Sequence, residues 1–293
     1  MTTAPLTPSP AGDDNPLLRI RDLRVSYGAG RAASWRRTDS TAVDDVSFDI
    51  LRGETLGLVG ESGSGKSTIG RAILRLVEPT GGSIIFDGRE VTAFGRSTPL
   101  SYRRDVQAVF QDPASSLNPR HLVREAVTGP LRRHGRGTRS EREEAAAQAF
   151  RDVGLSTALL NRYPMELSGG QRQRVAIARA IALRPRLVVC DEAVSALDVS
   201  TQSQIVNLLA DLRETTGITF LFITHDLRLV RHISQRVAVL KAGRLVECAD
   251  TELLFRSTQQ PYTRRLLAAS PSTDPDGREH RRARRAAHRS ANP

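Results

Sequence analysis

The chain has 293 residues, of which 39% are apolar and 4% aromatic, so it can build an aliphatic core and is neither fibrous, collagen-like nor wholly disordered. Its formal net charge is +11, from 43 basic and 32 acidic side chains. No apolar run approaches the ~18–20 residues that cross a bilayer, which excludes a membrane-spanning segment in this sequence.

The first elements predict an α/β domain behind a short tail. Residues 1–16 are rich in Pro, Thr and Ser and lack a basic start and an apolar segment, so we expect a disordered tail and no secretory signal. The segments Leu17–Tyr27, Ala42–Ile50 and Thr55–Val59 are predicted as strands, with a loop over Gly28–Thr41. Strand and helix patterns then alternate, as is typical of α/β folds.

The segment Gly60–Ser67 fits the phosphate-binding pattern G-x-x-x-x-G-K-[ST]. It follows the apolar strand Thr55–Val59 and precedes a helix pattern that ends by Pro79–Gly82, and this is the context in which the pattern binds phosphate. The apolar face of that helix is predicted to contain Ile69, Ala72, Ile73 and Leu76.

This segment predicts a site for a nucleoside triphosphate. Its glycines let backbone N–H groups approach the phosphate oxygens, and the helix N-terminus adds partial positive charge. We expect Lys66 to neutralise the β- and γ-phosphates and Ser67 to ligate Mg²⁺, with Thr68 beside it. The predicted nucleotide-binding residues here are Gly60, Glu61, Ser62, Gly63, Ser64, Gly65, Lys66, Ser67 and Thr68.

A helical insertion is predicted between two parts of the sheet. Ser83–Phe86 and Val106–Phe110 are expected to be short strands. Helical patterns then dominate from about residue 113 to residue 165, where Ser140–Glu143 fits a capping box.

The segment Leu167–Gln171 predicts a second anion-binding helix terminus. Ser168 can cap a helix from about Gly170 to Leu183, and the glycines expose backbone N–H groups. Because one ATP does not need two such termini within a monomer, we expect a head-to-tail dimer. Each nucleotide would lie between the phosphate loop of one subunit and Ser168, Gly169, Gly170 and Gln171 of the other.

Two buried strands are expected to deliver catalytic side chains to the same edge of the sheet. Leu187–Cys190 is continuously apolar and is followed by Asp191, expected to hold Mg²⁺ through water, and Glu192, expected to activate or orient the attacking water. The strand Ile218–Thr224 precedes His225, a candidate γ-phosphate contact.

The C-terminal third contains a predicted helix over Thr201–Thr215, a hairpin around Lys241–Gly243 and an extension from about Phe255. Residues 278–293 carry six Arg and one Glu. We expect a solvated, disordered tail there, because blocks of like charge repel. A contact with RNA, DNA or anionic lipid is the alternative.

Taken in order, these segments resemble the nucleotide-binding subunit of an ABC transporter. The matching features are Tyr27 (adenine-stacking aromatic), Gly60–Ser67 (Walker A), Gln111 (Q-loop), Leu167–Gln171 (signature), Leu187–Glu192 (Walker B), Ser195–Asp198 (D-loop) and His225 (switch histidine). One departure is Ala193, where the family usually has Pro.

The resemblance implies an α/β P-loop NTPase (RecA-like) core with an antiparallel β subdomain and an inserted helical subdomain. Residues 17–255 would form the nucleotide-binding domain, with the helical subdomain at about 113–165. ATP and Mg²⁺ would be bound, Gln111 would contact Mg²⁺ and the membrane subunits, and Lys66, Glu192 and His225 would be catalytic. The implied partners are a second ATPase subunit, two integral permease subunits and, indirectly, an extracytoplasmic solute-binding protein, with the chain peripheral at the cytoplasmic face of the inner membrane.

Within the family, Gln111–Arg120 and Gln260–Leu267 resemble the oligopeptide/dipeptide importer branch, with residues 256–277 as its C-terminal extension. Some members carry an iron–sulfur cluster there, but this extension has no cysteine; the two cysteines are Cys190 and Cys248. Members also handle nickel, glutathione and sugars, so the expected cargo is a peptide or a related solute. Whether the two ATPase subunits are identical stays open.

The alternatives are a soluble ABC-type ATPase acting on nucleic acid or ribosomes and a P-loop kinase. Against the first stand the single signature motif, the absence of a heptad run and the scarcity of cysteine. The second would leave Leu167–Gln171 without a role. No nucleic-acid partner is therefore expected.

Overall fold

A computed structural model describes residues 15–28, 40–95, 97–112 and 117–269. Most of the predicted N-terminal tail, most of the loop over 28–41, residues 113–116 at the start of the expected helical insertion, and the Arg-rich tail lie outside the described residues.

Strands and helices alternate through the described chain, and the observed bounds lie close to the predicted ones. Two short 3₁₀ helices occupy Thr157–Asn161 and Pro164–Glu166. The strands are β1 (Leu18–Tyr27), β2 (Ser40–Ile50), β3 (Thr55–Val59), β4 (Gly81–Phe86), β5 (Arg89–Glu90), β6 (Val106–Phe110), β7 (Leu187–Asp191), β8 (Thr219–Ile223), β9 (Arg236–Lys241) and β10 (Arg244–Asp250). The α-helices are α1 (Lys66–Ile73), α2 (Leu100–Asp105), α3 (Val123–Arg133), α4 (Arg139–Asp152), α5 (Gly169–Ile181), α6 (Val199–Thr216), α7 (Leu227–Ile233), α8 (Thr251–Ser257) and α9 (Pro261–Ala269).

The larger sheet has the strand order β10-β9-β3-β8-β7-β6. All neighbouring pairs are parallel except β9 and β10, which form an antiparallel hairpin. Every residue of β3, β7 and β8 is buried, as expected for parallel strands covered on both faces. Side chains of β7 alternate between two hydrophobic cores. Val188 and Cys190 belong to the core shared with the helical insertion, whereas Leu187 and Val189 belong to the core shared with the smaller sheet.

The smaller sheet is antiparallel, in the order β2-β1-β4-β5. Its apolar side chains, among them Leu23 and Val25, share one core with Leu56 of β3 and Ile69 and Ile73 of α1. Helix α1 is therefore held between the two sheets, and this packing fixes the direction in which its N-terminus points.

The helical insertion packs on the opposite side, where Val127 of α3 and Phe150 of α4 share a core with Val175 of α5. The prediction of a capping box at Ser140–Glu143 is wrong. Thr138 caps α4 instead: its hydroxyl accepts from the Glu141 N–H at 3.3 Å, and the Glu141 carboxylate accepts from the Thr138 N–H at 2.6 Å. The helix begins two residues earlier than predicted, because Thr138 supplies the same pair of bonds from an extended backbone.

The placement of Leu76 on the buried face of α1 is also wrong. The helix ends at Ile73, Arg75 adopts a left-handed backbone with φ of 58°, and Leu76 is 62% exposed. A left-handed residue terminates a helix because it turns the chain away from the helical path.

Within the described part of the chain, no helix combines the length and apolar character that a bilayer crossing requires.

Candidate active site

The register of the parallel strands brings the candidate residues to one edge of the sheet. Ile223 at the end of β8 lies opposite both Leu58 of β3 and Asp191 of β7, and Asp191 in turn lies opposite Phe110 of β6. The segments that follow these strands therefore leave the sheet side by side, at the carboxyl edge where ligands bind in open α/β sheets.

The loop after β3 requires glycine at two positions. Gly60 and Gly65 have φ of 155° and 102°, and a Cβ at either would overlap a backbone carbonyl oxygen, that of Leu240 or Ala42 respectively. The loop is also held from behind, because the Gly243 N–H in the β9–β10 turn donates to the carbonyl of Ser64 at 2.9 Å. The backbone of the loop is thus fixed by Leu240, Ala42 and Gly243. The sequence pattern predicts that the amides of this loop bind phosphate.

Lys66 begins α1 and is 4% exposed. Its Nζ donates to the carbonyl oxygens of Gly60 at 2.9 Å and Glu61 at 2.7 Å. Burial lowers the pKa of Lys66, and the negative charges of Glu192 and Asp191 oppose that shift. The ammonium lies at an open cavity of about 280 Å³ lined by Ala42, residues 62–68 and Glu192.

A hydroxyl and a carboxylate meet beside this cavity. The Ser67 hydroxyl donates to Oδ1 of Asp191 at 2.7 Å. Asp191 is 8% exposed; burial raises the pKa of its carboxyl group, and the bond from Ser67 opposes that rise. Hard oxygen donors of this kind suit Mg²⁺, so the residues present fit that ion. Among the described residues, no three His, Cys, Asp or Glu side chains are grouped to hold a metal.

Glu192 and His225 also meet at this edge, with 3.4 Å between His225 Nδ1 and Glu192 Oε1. His225 is exposed, whereas Glu192 is half-buried. Glu192 has a φ of 51°, and its N–H donates to the carbonyl of Ile223 at 3.0 Å. Non-glycine residues rarely adopt this left-handed backbone conformation, and those that do cluster at functional sites. Ala193, at the position of the family proline, is buried.

The second predicted helix terminus is observed at the start of α5. Ser168 caps this helix: its hydroxyl accepts from the Gln171 N–H at 3.2 Å, and the Gln171 side chain accepts from the Ser168 N–H at 2.9 Å. Gly170 lies against α6, since a Cβ there would approach Thr201 Cγ2 at 2.8 Å. No residue from 168 to 171 is among the described residues that line the cavity at Lys66.

Two further candidates lie at the periphery. Gln111 follows β6 and is exposed. Tyr27 at the end of β1 is 43% exposed, and its hydroxyl lies 3.4 Å from the Thr68 hydroxyl. The tyrosine hydroxyl is therefore beside the first turn of α1, which follows the phosphate loop.

Sequence reasoning missed three contacts of the phosphate loop, made by Ala42, Gly243 and Tyr262. Ala42 lines the cavity and Gly243 donates to the loop, as described above, while the Tyr262 hydroxyl accepts from the Glu61 N–H at 3.4 Å. The hairpin around Gly243 was predicted, but no local pattern reports which loop it would touch.

A larger cavity, of about 710 Å³, lies at the opposite edge of the sheet, where β7 and β8 begin. Its walls include Arg52, Arg186 and Ile218, and none of the phosphate-loop residues. Size alone therefore does not locate the chemistry, which requires converging polar groups.

Comparison with known proteins gives a consistent result. Residues 43–195 match the family described as ABC transporter. A peptide import ATP-binding protein of Brucella ovis is 51% identical over 268 residues, covering 92% of this chain and 83% of the relative. The glutathione import ATP-binding protein GsiA of Escherichia coli O157:H7 is 49% identical over 264 residues, covering 90% of this chain but 42% of the longer relative.

Solved structures are similar as well. The structure of cbiO1 from Clostridium perfringens, part of the ABC transporter complex cbiONQ, has a TM-score of 0.74 at 27% identity, over 83% of this chain and 92% of that one. The ATP-binding cassette MJ0796, a dimer in a post-hydrolysis state with ADP and Pi, has a TM-score of 0.70 at 32% identity, over 80% of this chain and 98% of that one. These likenesses confirm the fold class predicted from the sequence.

Proposed function

The chain belongs to the ABC transporter family, and we propose on this basis that it is the ATP-hydrolysing subunit that powers import of peptides or a related solute. The observation that carries the proposal is the meeting of Lys66, Ser67, Asp191, Glu192 and His225 at one edge of the sheet. The relatives named for peptide and glutathione import support the cargo class.

Nucleotide binding is assigned to the phosphate loop. Backbone N–H groups among residues 62–68, which line the cavity, surround the phosphates, and the first turn of α1 adds its partial positive charge. Lys66 exchanges its loop-carbonyl contacts for the β- and γ-phosphate oxygens. Tyr27 lies beside Thr68 and stacks on the adenine.

Mg²⁺ is assigned to the Ser67 hydroxyl, to Gln111 and, through water, to Asp191. When bound, the ion would supply positive charge that neutralises the negative charge developing on the phosphates. The burial of Asp191 keeps this carboxylate in one place, and its bond from Ser67 pre-orders both oxygen donors.

Hydrolysis is assigned to Glu192 and His225. The Glu192 carboxylate is half-buried and lines the cavity. From there it orients the attacking water and accepts its proton as that water attacks the γ-phosphorus and ADP leaves. His225 hydrogen-bonds the γ-phosphate. Its contact with Glu192 keeps the imidazole and the carboxylate next to each other.

A head-to-tail dimer would complete each site. Ser168, Gly169, Gly170 and Gln171 begin a capped helix, yet do not line the cavity at Lys66 in the described chain. A second subunit could supply these residues to the γ-phosphate, an arrangement that the dimeric form of the similar cassette MJ0796 supports. The dimer would attach to two integral permease subunits at the cytoplasmic face of the membrane, with a solute-binding protein delivering cargo from the other side.

Two substitutions test the proposal on the purified chain with Mg²⁺ and ATP. Glu192→Gln should retain ATP binding and lose about 100-fold or more of the turnover, the usual contribution of a positioned base. Lys66→Ala should weaken ATP binding itself. Glu214→Gln, on the exposed side of α6, is the matched control and should leave both unchanged. Near-normal turnover by Glu192→Gln, or unchanged ATP affinity in Lys66→Ala, would refute these assignments.

A further inference from the structure

The C-terminal helix α9 touches the phosphate loop from behind. Its second and third residues, Tyr262 and Thr263, are 7% and 0% exposed. The Tyr262 hydroxyl accepts from the Glu61 N–H at 3.4 Å, across 201 positions of sequence. The Lys241 ammonium lies 5.1 Å from the centre of the tyrosine ring, within the range of a cation–π contact.

The helix is anchored independently of this contact. Thr263 and Thr258 both donate from their hydroxyls to the same carboxylate oxygen of Glu247 on β10, at 2.7 and 2.6 Å. These bonds fix the first turn of α9 on the hairpin that also supports the loop through Gly243. These two bonds therefore hold the start of α9, and with it Tyr262, against β10.

Glu61 is the residue through which this support reaches the site. Its N–H is bound by Tyr262, and its carbonyl oxygen accepts from Lys66 Nζ at 2.7 Å. The same carbonyl oxygen also accepts from the Ser64 N–H at 3.1 Å. A displacement of the Glu61 backbone would therefore shift the turn of the phosphate loop and the amides that face the cavity.

We propose that Tyr262 is a positioning residue of the phosphate loop, and that α9 sets the affinity of the site for ATP by fixing the Glu61 backbone. The inference rests on the proposed function and extends it, because it makes the C-terminal helix part of the nucleotide site. If α9 moved, for instance on contact with a partner, the affinity for ATP would change although α9 itself does not contact the nucleotide.

The test uses the full chain and two tyrosine-to-phenylalanine variants. Tyr262→Phe removes the hydroxyl and keeps the ring. Tyr102→Phe is the matched control: this tyrosine is also buried, and its hydroxyl donates to a backbone carbonyl, that of Ile73, at the far end of α1. ATP affinity by calorimetry, kcat and KM of hydrolysis, and the melting temperature are measured for each.

Tyr262→Phe should raise the Kd and KM for ATP about threefold or more, the effect of one neutral hydrogen bond, while kcat changes much less. Tyr102→Phe should lower the melting temperature but leave Kd and KM unchanged. An unchanged Kd in Tyr262→Phe, with the wild type binding ATP, would overturn this inference alone. A wild-type chain that binds no ATP would overturn the proposed function, and this inference with it.

Discussion

The hydroxyl of Ser67 and the carboxylate of Asp191 are joined by a hydrogen bond of 2.7 Å, although 124 positions separate them in sequence. The bond connects the first turn of α1 to the end of β7. It exists because β3 and β7 flank β8 in the larger sheet, pair with it in parallel and end at the same level. The proposed nucleotide site is thus assembled across the sheet.

Replacement of Ser67 should act chiefly on Mg²⁺. We expect Ser67→Ala to raise the Mg²⁺ concentration for half-maximal ATPase activity about tenfold or more, because metal sites lose at least that much even when a supporting contact is removed. Ser67→Thr keeps the hydroxyl and should stay near the wild type. Titration of activity with Mg²⁺ at fixed ATP measures the difference, and equal Mg²⁺ curves for Ala and Thr would contradict the ligand role.

His225→Ala should reduce kcat about 100-fold, as loss of one transition-state donor does, and leave ATP binding nearly intact. The control is His232→Ala, because that imidazole is also exposed and bonds the side chain of Asn207 at 2.7 Å, away from the loop. Single-turnover hydrolysis with saturating ATP separates the two. A similar small loss in both variants would show that the γ-phosphate assignment is wrong.

Thr138→Ala should destabilise the chain by about 1 kcal/mol, since it removes the N-cap of α4. Ser140→Ala, two positions on, lies inside the helix and should change the free energy of unfolding by less than about 0.5 kcal/mol. Urea unfolding of both variants measures the contrast. A larger effect at Ser140 would favour the start of the helix that the sequence predicted.

Asp87 makes stability depend on pH in acid. Hydrogen bonds from Arg186 and Arg52 lower the pKa of Asp87 to about 2, against about 3.9 in an unfolded chain. A carboxyl group with a depressed folded pKa stabilises the fold above its unfolded pKa, and this contribution is lost as the pH falls from about 4 towards 2.

We therefore expect Asp87→Asn to lower the free energy of unfolding at pH 7 and to approach the wild type at pH 3. Asp211→Asn, an exposed site on α6, is the control and should have little effect at pH 7. Urea unfolding at each pH gives the comparison. A stability gap between wild type and Asp87→Asn that does not shrink in acid would show that the gap does not come from the ionised carboxylate of Asp87.

Local chemistry explains which features could be predicted. The glycine spacing of the phosphate loop, the continuous apolar run of β7 and the Ser168 cap of α5 each depend on residues within one turn or one strand. The helix ends were less certain, as Leu76 and Thr138 illustrate, because several nearby residues can cap or terminate a helix and packing selects among them.

By itself the sequence determined the α/β alternation, the phosphate loop and the candidate residues Lys66, Asp191, Glu192 and His225. Only the tertiary structure decided that the Glu192 carboxylate meets His225, and that Tyr262 reaches the loop from the far end of the chain. The reason is physical: periodicity and propensity act over a few residues, whereas strand order and helix docking are set by burial of surfaces that are distant in sequence.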